Sequence, residues 1–467
     1  MSEYITNKKI AKNVGLSLAA QIISLLVGFV LYMIVPRFVS EINYSRWQVF
    51  VLYIGYVGIL HFGILDGLML RYSKYDYDEI DKAKVRSQLL SVLVITSIIG
   101  IGGIITSFFI GDTVTKYIII LVSIAVLTKN LFSFVSYSFQ ITNRINKYAI
   151  IVISQRVVYG LIVVILLVFK IDNFVYLCIA EIAGDVFAFL ISIAFNKELY
   201  FGKIISIKET WVELKANVAC GIILMLTNWT SSFITGGSKI IIQQTFDEII
   251  FGQVSLAFSA TSLFLTFITA ISVVLFPSLN RMEEDKLPSF YKKTRRYSSG
   301  ILVACLVFYY PGILILKLWL PQYEESLVYL IYIMPLIIFS SKSGLLLCNY
   351  LKLFRKEKEM LVIAIISIIV SAGLTVIFAV VVKDVSLALL SILLGVVVNS
   401  TLLEISVNKC LKSKNYLLMI SEIVISAVFI VLFKYLNGLL AFGILSGIVL
   451  IYLVFIFYDK LIRRKTA

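Results

Sequence analysis

Residues 89–110 read LLSVLVITSIIGIGGIITSFFI, 22 positions in a row without an ionisable side chain. A helix rises about 1.5 Å per residue and the hydrocarbon core of a bilayer is about 30 Å thick, so this run crosses a membrane as one helix. Its apolar positions are continuous instead of alternating with period 2, which excludes a strand of an outer-membrane barrel. Lys82, Lys84 and Arg86 stand before it and Asp112 after it, so charge returns where the bilayer ends. The rest of the chain repeats the pattern. Of 467 residues, 60% are hydrophobic and 15% charged, with mean hydropathy +0.98, against about 45–50% apolar and 25% charged in soluble domains. The sequence is that of an all-α integral membrane protein.

Working outward, six such runs lie within residues 1–195 and eight within 218–467. They predict about 14 transmembrane helices. Between the two sets lies a polar segment, NKELYFGKIISIKETWVELKAN, at 196–217. Asn13-Val14 at the start of span 1 recurs as Asn217-Val218 at the start of span 7, and Gln48-Val49 recurs as Gln253-Val254, at offsets of 204 and 205 residues. A repeat of six spans returns the chain to its starting side. The reading is therefore two six-helix lobes in pseudo-twofold arrangement about the membrane normal. The N-terminal lobe covers 1–195 and the C-terminal lobe 218–407, with 196–217 as a cytoplasmic linker. An extra helix pair, spans 13 and 14, covers 408–467.

The basic residues test this count, because cytoplasmic loops collect Lys and Arg. The N-terminus and alternate segments after it hold 31 of the 42 basic residues, the other side 8, and Lys129, Arg156 and Lys342 lie inside spans. Both termini are thus expected to be cytoplasmic. The net charge of +15 is topology and attraction to anionic headgroups of membrane lipids, and implies no nucleic acid. The first apolar run is too long for a cleaved signal and reads as a retained helix. Cys178, Cys220, Cys305, Cys348 and Cys410 have no metal or redox spacing and read as packing residues.

The loops exclude other functions. None is long enough to fold into a soluble catalytic or nucleotide-binding domain. Gly236-Gly237-Ser238-Lys239 lacks the spacing of a phosphate-binding loop, and with His61 as the one histidine there is no metalloprotease motif. The chain reads as a non-enzyme without cofactor or metal.

Chemistry must then reside in the bilayer, where an ionisable residue costs roughly 2.5–3.5 kcal/mol and faces protein or water. Lys129 and Asp185 are the most central, with Glu181, Arg156 and His61 nearer the surfaces; Glu181 and Asp185, four apart, share a helix face. Lys342 is the deepest charge of the second half, while Lys239, Glu404 and Glu422 lie nearer span ends. Two readings stand for Lys129 and Arg156: interhelical ties to Asp185 or Glu181, or contacts to an anionic substrate. Arg156, with its planar fork, inclines to phosphate, and Lys129 to the tie. Asp66 and Arg71 read as a helix-end charge pair. His61 suits either proton coupling or a plain hydrogen bond. In span 7, Asn228 and Trp229 followed by hydroxyl residues suit a sugar, or serve helix packing.

The start NVGLSLAAQIISLLVGFVLYMIVPR, the segment FGILDGLMLRY and the stretch FGQVSLAFSATSLFLTFITAISVVLFPSLNR resemble the polysaccharide transporter branch of the multidrug/oligosaccharidyl-lipid/polysaccharide superfamily, the Wzx-type O-antigen flippases. The resemblance covers essentially the whole chain. It implies a two-lobed transporter in the bacterial cytoplasmic (inner) membrane, moving undecaprenyl-diphosphate-linked oligosaccharide outward by alternating access. Coupling to a proton or sodium gradient, a lipid-guiding role for spans 13 and 14, and association with other polysaccharide assembly proteins belong to the same expectation. Lys129, Arg156, Lys239 and Lys342 are the positions that would meet a diphosphate or acidic sugar, and Asp66, Glu181, Asp185 and His61 those that would couple ions or pair with them. A multidrug/cation antiporter of the same superfamily, relying on carboxylates, is the alternative; the extra two spans count against it. A glycan polymerase or ligase would need a large external loop, which is missing.

Reporter fusions or cysteine labelling should place both termini, segment 196–217 and loop 280–299 in the cytoplasm. An external 196–217 segment would remove the basis for a six-plus-six repeat.

Overall fold

Inside lipid every backbone N–H and C=O must be satisfied within its own segment, which leaves the helix as the spanning form for these apolar runs. A computed structural model describes residues 22–75, 77–280, 282–413 and 416–463, without the side chains at 228, 231, 264, 266–280 and 458–463. It is all helix and connecting turns among those residues. Eleven helices are long and apolar enough to cross a membrane, or 12 if one bent pair counts as one span. Of the 14 expected spans, 11 or 12 are thus present as such helices among the described residues. The remaining two runs fall on shorter apolar helices, Ile22–Phe38, preceded by residues outside the described ones, and Glu248–Leu263, which continues as helix to Asn280.

The chain divides into two compact units, Met1–Trp229 and Thr230–Ala467. The first unit holds α1 (Ile22–Phe38), α2 (Glu41–His61), α3 (Ile64–Tyr72), α4 (Lys82–Ser107), α5 (Thr113–Ile141), α6 (Ile145–Val168) and α7 (Phe174–Phe195), and takes the first part of α8 (Ile207–Thr245). α4 packs along α5, α6 along α7, and α5 along α7. The second unit takes the rest of α8, then α9 (Glu248–Asn280), α10 (Glu284–Trp319), α11 (Leu336–Leu353), α12 (Glu357–Val381), α13 (Val385–Cys410), α14 (Tyr416–Tyr435) and α15 (Gly438–Arg463). α12 packs along α13, and α14 and α15 pack on α10.

The helix ends follow local chemistry. Asp81, Asp112, Asn173 and Asp384 each accept a backbone N–H of the first turn of α4, α5, α7 and α13, closing donors that a helix start leaves open. Asn143, Lys170, Arg355, Lys383 and Lys412 take left-handed backbone (φ 50–58°) just past helix ends. Four of these five are cationic and so sit favourably against the negative end of the helix dipole. The cross-section is inverted relative to a soluble protein: Ile98, Ile101 and Ile105 are exposed, whereas Gln88, Thr96 and Asn130 are fully buried.

Segment 196–217 is not a free connection. A helical turn at Lys197–Tyr200 and an irregular stretch precede α8, which begins at Ile207. Arg86 on α4 donates to the carbonyls of Glu198, Phe201 (3.3 Å) and Lys203 (2.9 Å), and Ile205 N donates to Ser87 Oγ at 3.1 Å. The Lys82 ammonium bonds Glu198 and holds that carboxyl below its usual range. The segment belongs to the first unit, and the division falls inside α8 instead of at 196–217. The physical reason is the bonding: a polar stretch that reads as a linker is fastened by its carbonyls to one neighbour.

α3 and α8 approach closely enough to exclude side chains. A Cβ at Gly67 would lie 2.0 Å from Asn217 O, and one at Gly221 would lie 2.0 Å from Gly63 O and 2.3 Å from Gly67 N. These obstacles are backbone, which cannot swing aside. Gly221→Ala is expected to cost about 1–3 kcal/mol or more by overpacking, read as a fall in thermal stability of the purified protein. Gly443→Ala, where a Cβ meets nothing within 4 Å, should leave it unchanged.

Candidate functional site

The central charges of the first unit meet in one place. α5 carries Lys129 and α7 carries Glu181 and Asp185, one turn apart on the same face. Lys129 Nζ lies 2.7 Å from Glu181 Oε1 and 3.6 Å from Asp185 Oδ2. Gln155 on α6 donates to Asp185 Oδ1 at 3.0 Å. Asp185 is almost fully buried, while Lys129 keeps 23% of its side chain exposed. That exposure opens on a cavity of about 220 Å³ lined by Tyr32, Trp47, Lys129, Arg156, Tyr159 and Glu181 among others.

Arg156 is the unspent group of this cavity. It makes no ion pair or hydrogen bond among the described residues, because Lys129 stands within reach of both carboxylates. Trp47, 1% exposed, also has no acceptor for its indole Nε1. The cavity thus offers a guanidinium beside aromatic rings, with the Trp47 indole N–H buried in its wall. Such a lining is suited to an acceptor-rich, partly apolar molecule.

His61 and Asp66 are also buried, with His61 Nε2 3.9 Å from Asp66 Oδ2. The expected Asp66–Arg71 pair does not form. Residues five apart on a helix face different ways, and Arg71 instead pairs with Glu213 at 2.8 Å and donates to Asn217 Oδ1 at 2.6 Å, both on α8.

The second unit answers the same problem by closure. Arg295 from α10 donates to Glu404 of α13 (2.7 and 3.1 Å) and to Glu422 of α14 (2.6 and 2.8 Å). Lys342 from α11 donates to both carboxylates at 2.8 and 2.7 Å. All four side chains are fully buried. Ser299 donates to Glu422 at 2.5 Å and shares a 2.7 Å hydrogen bond with Tyr452 of α15. Two cations and two anions cancel in a core without an opening. Lys342, expected to meet substrate, lies instead between two carboxylates with its ammonium fully buried.

Arg295, which by sequence counts among the cytoplasmic loop basics, is fully buried on α10. The signal was the four-residue spacing of Leu287, Tyr291, Arg295 and Ser299, all buried, against exposed Lys292 and Lys293. Sequence alone also passes over Gln155, Tyr32 and Trp47, which only the packing brings to the cavity.

Lys239 is in the second unit. Its ammonium lies 4.9 Å over the Phe258 ring and makes no ion pair among the described residues, a cation–π contact. Trp229 packs on Gly58, whose Cβ would meet its ring at 2.8 Å, and stands 6.2 Å from the Tyr56 ring. The side chain of Asn228 lies outside the described residues. Among the described residues no three His, Cys, Asp or Glu side chains gather as a metal site, and all five cysteines are free.

A family model described as polysaccharide biosynthesis protein matches residues 59–327. No curated protein matches. Among solved structures, the lipid II flippase MurJ in an inward closed conformation superposes with TM-score 0.70 at 14% identity, covering 97% of this chain and 100% of that one. An inward-facing multidrug resistance MATE family transporter of the MOP superfamily gives 0.61 at 13% identity, over 84% and 99% of the two chains. The eukaryotic MATE transporter AtDTX14 gives 0.54 at 13%, over 85% and 95%. The fold is that of the MOP transporters.

Removing one member of the closed cluster strands a buried charge. Glu422→Gln is expected to destabilise by about 3–5 kcal/mol, and Lys342→Met combined with Glu422→Gln should recover much of it, measured by thermal unfolding in detergent. Additive losses in the double variant would mean that the two side chains are not coupled.

Proposed function

The chain belongs to the polysaccharide biosynthesis protein family, and from that premise we propose that it is a flippase for lipid-linked oligosaccharide. It moves undecaprenyl-diphosphate-linked glycan repeat units from the inner to the outer leaflet of the bacterial cytoplasmic membrane by alternating access, for O-antigen or another surface polysaccharide. The observation that carries this reading is Arg156: a guanidinium in the membrane interior, lining a cavity of about 220 Å³ with aromatic walls, and making no ion pair within 4.0 Å among the described residues, the nearby carboxylate Glu181 being held by Lys129. Keeping a cation there costs free energy, and an anionic headgroup or acidic sugar recovers it through charge-assisted, bidentate hydrogen bonds. Tyr32, Trp47 and Tyr159 suit the apolar faces of sugar rings. The cycle draws on a proton or sodium gradient, and the chain supplies binding and orientation without breaking a bond.

A cation antiporter is the second reading, favoured by the carboxylates Glu181 and Asp185. Lys129 and Arg156 together balance that pair within the same site, which leaves little negative field for a cationic substrate. The family match favours the glycan.

Deleting the gene in a strain without a redundant transporter should abolish surface glycan and leave lipid-linked repeat units on the cytoplasmic leaflet. Arg156→Ala should lower transport by about tenfold or more, the worth of one charge-assisted hydrogen bond, at unchanged thermal stability, and Arg156→Lys should restore part. Normal glycan in the deletion strain would refute the flippase, and an Arg156 variant that unfolds would return the residue to a structural role.

A further inference from the structure

The one histidine of the chain stands where a membrane span breaks. α2 is α-helical over Glu41–Ile54 and closes with a 3-10 turn at Val57–His61, and α3 starts at Ile64 after a bend of 53°. Between them Phe62 and Gly63 both take left-handed backbone, φ 50° and 78°. Two such residues cannot continue a right-handed helix, so the break releases backbone donors in a buried region, where an unmet donor is costly. His61 meets one of them: Gly63 N donates to its ring Nδ1 at 3.1 Å. In a continuous helix that N–H would go to Ile59 O, four residues back; here Ile59 O is taken by Phe62 N at 2.9 Å.

The same bond assigns the proton. A nitrogen that accepts carries none, so neutral His61 holds its single proton on Nε2. Nε2 stands 3.9 Å from Asp66 Oδ2, and Tyr137 of α5 is hydrogen-bonded to the same carboxyl. His61 and Asp66 are 4% and 3% exposed. Asp66 faces the ring from α3 and Tyr137 stands behind it from α5. α2 and α4, which also pack against this turn, bring no carboxylate within 4.0 Å of the ring among the described residues.

We infer that His61 is a proton-binding site whose occupancy sets the bend of this span. A second proton enters the imidazole only at Nδ1. Protonated Nδ1 is a donor and cannot accept from Gly63, so the proton and the bond that closes the bend compete for one lone pair. The imidazolium is balanced by the Asp66 carboxylate, while the released Gly63 N–H finds Ile59 O by extending α2 toward α3. Taking up a proton from water thus trades the bent span for a straighter one. The use of this device rests on the transport reading, giving it a proton as coupling ion; its chemistry does not.

The test uses the full chain in lipid nanodiscs, free of native cysteines, with spin labels on Ile42→Cys and Leu70→Cys at the two ends of the span. The distance between the labels should lengthen as pH falls from about 8 to 4, a range that starts above the ordinary histidine range and reaches below it. His61→Asn, whose Oδ1 accepts from Gly63 and takes no proton, should keep the short distance at every pH; His61→Gln serves as a second non-titrating variant should Asn fold poorly. A distance that ignores pH in the natural sequence, or that responds equally in the variants, overturns the inference. Flipping measured on the same samples separates the two readings. A pH-dependent bend lost in the His61 variants without any movement of lipid-linked glycan supports the proton site and sinks the flippase. Robust flipping with a pH-independent bend does the opposite.

Discussion

A charge in the hydrocarbon core of a bilayer must be matched by protein or water, and the matching organises both units of this molecule. On insertion scales each unmatched side chain costs roughly 2.5–3.5 kcal/mol, so a few such residues decide which helices have to meet. In the second unit they draw four helices to one point: α10 supplies Arg295, α11 Lys342, α13 Glu404 and α14 Glu422, and Tyr452 of α15 joins through Ser299. The C-terminal helix pair is thereby held by buried, charge-assisted hydrogen bonds as well as by apolar contact. A cluster of this kind adds little net stability over well-packed hydrophobic residues but tolerates the loss of no single member.

The first unit meets the same constraint differently. Lys129 covers Glu181 at 2.7 Å and reaches Asp185 at 3.6 Å, so the formally balanced set of two cations and two anions does not close, and Arg156 is left facing a cavity. The bend between α2 and α3 adds a place where the first unit has two ways to satisfy its backbone, in contrast to α10–α15, where the buried charges allow one.

Much of this was legible in the residues. The uncharged 22-residue run at 89–110 and its counterparts require membrane helices, and the i, i+4 spacing of Glu181 and Asp185 places both carboxylates on one face before any partner is known. The segments that resemble the polysaccharide flippases led to the family that the match over 59–327 establishes. Other readings failed for definite reasons. Asp66 and Arg71 are close in sequence but on different faces, and Arg71 turns to Glu213, 142 positions away. Segment 196–217 is polar enough to read as a linker, yet Arg86 fastens its carbonyls to the first unit. Arg295 lies in a basic stretch whose other members are solvated, and its burial follows only from the helical face it shares with Tyr291 and Ser299.

What the sequence determines by itself is the solvent. Apolar runs of bilayer length, with lysine and arginine gathered in alternate loops, specify an all-helical membrane protein because backbone groups in lipid have no other partner. Which charges are spent and which are available is decided by tertiary structure alone. Lys129, Arg156 and Lys342 look alike in a hydropathy profile, each a cation within an apolar helix. Packing places Lys342 between two carboxylates, Lys129 against two others, and Arg156 on the same cavity as Glu181 without an ion pair within 4.0 Å among the described residues, because the partners come from helices that the chain brings together only after folding.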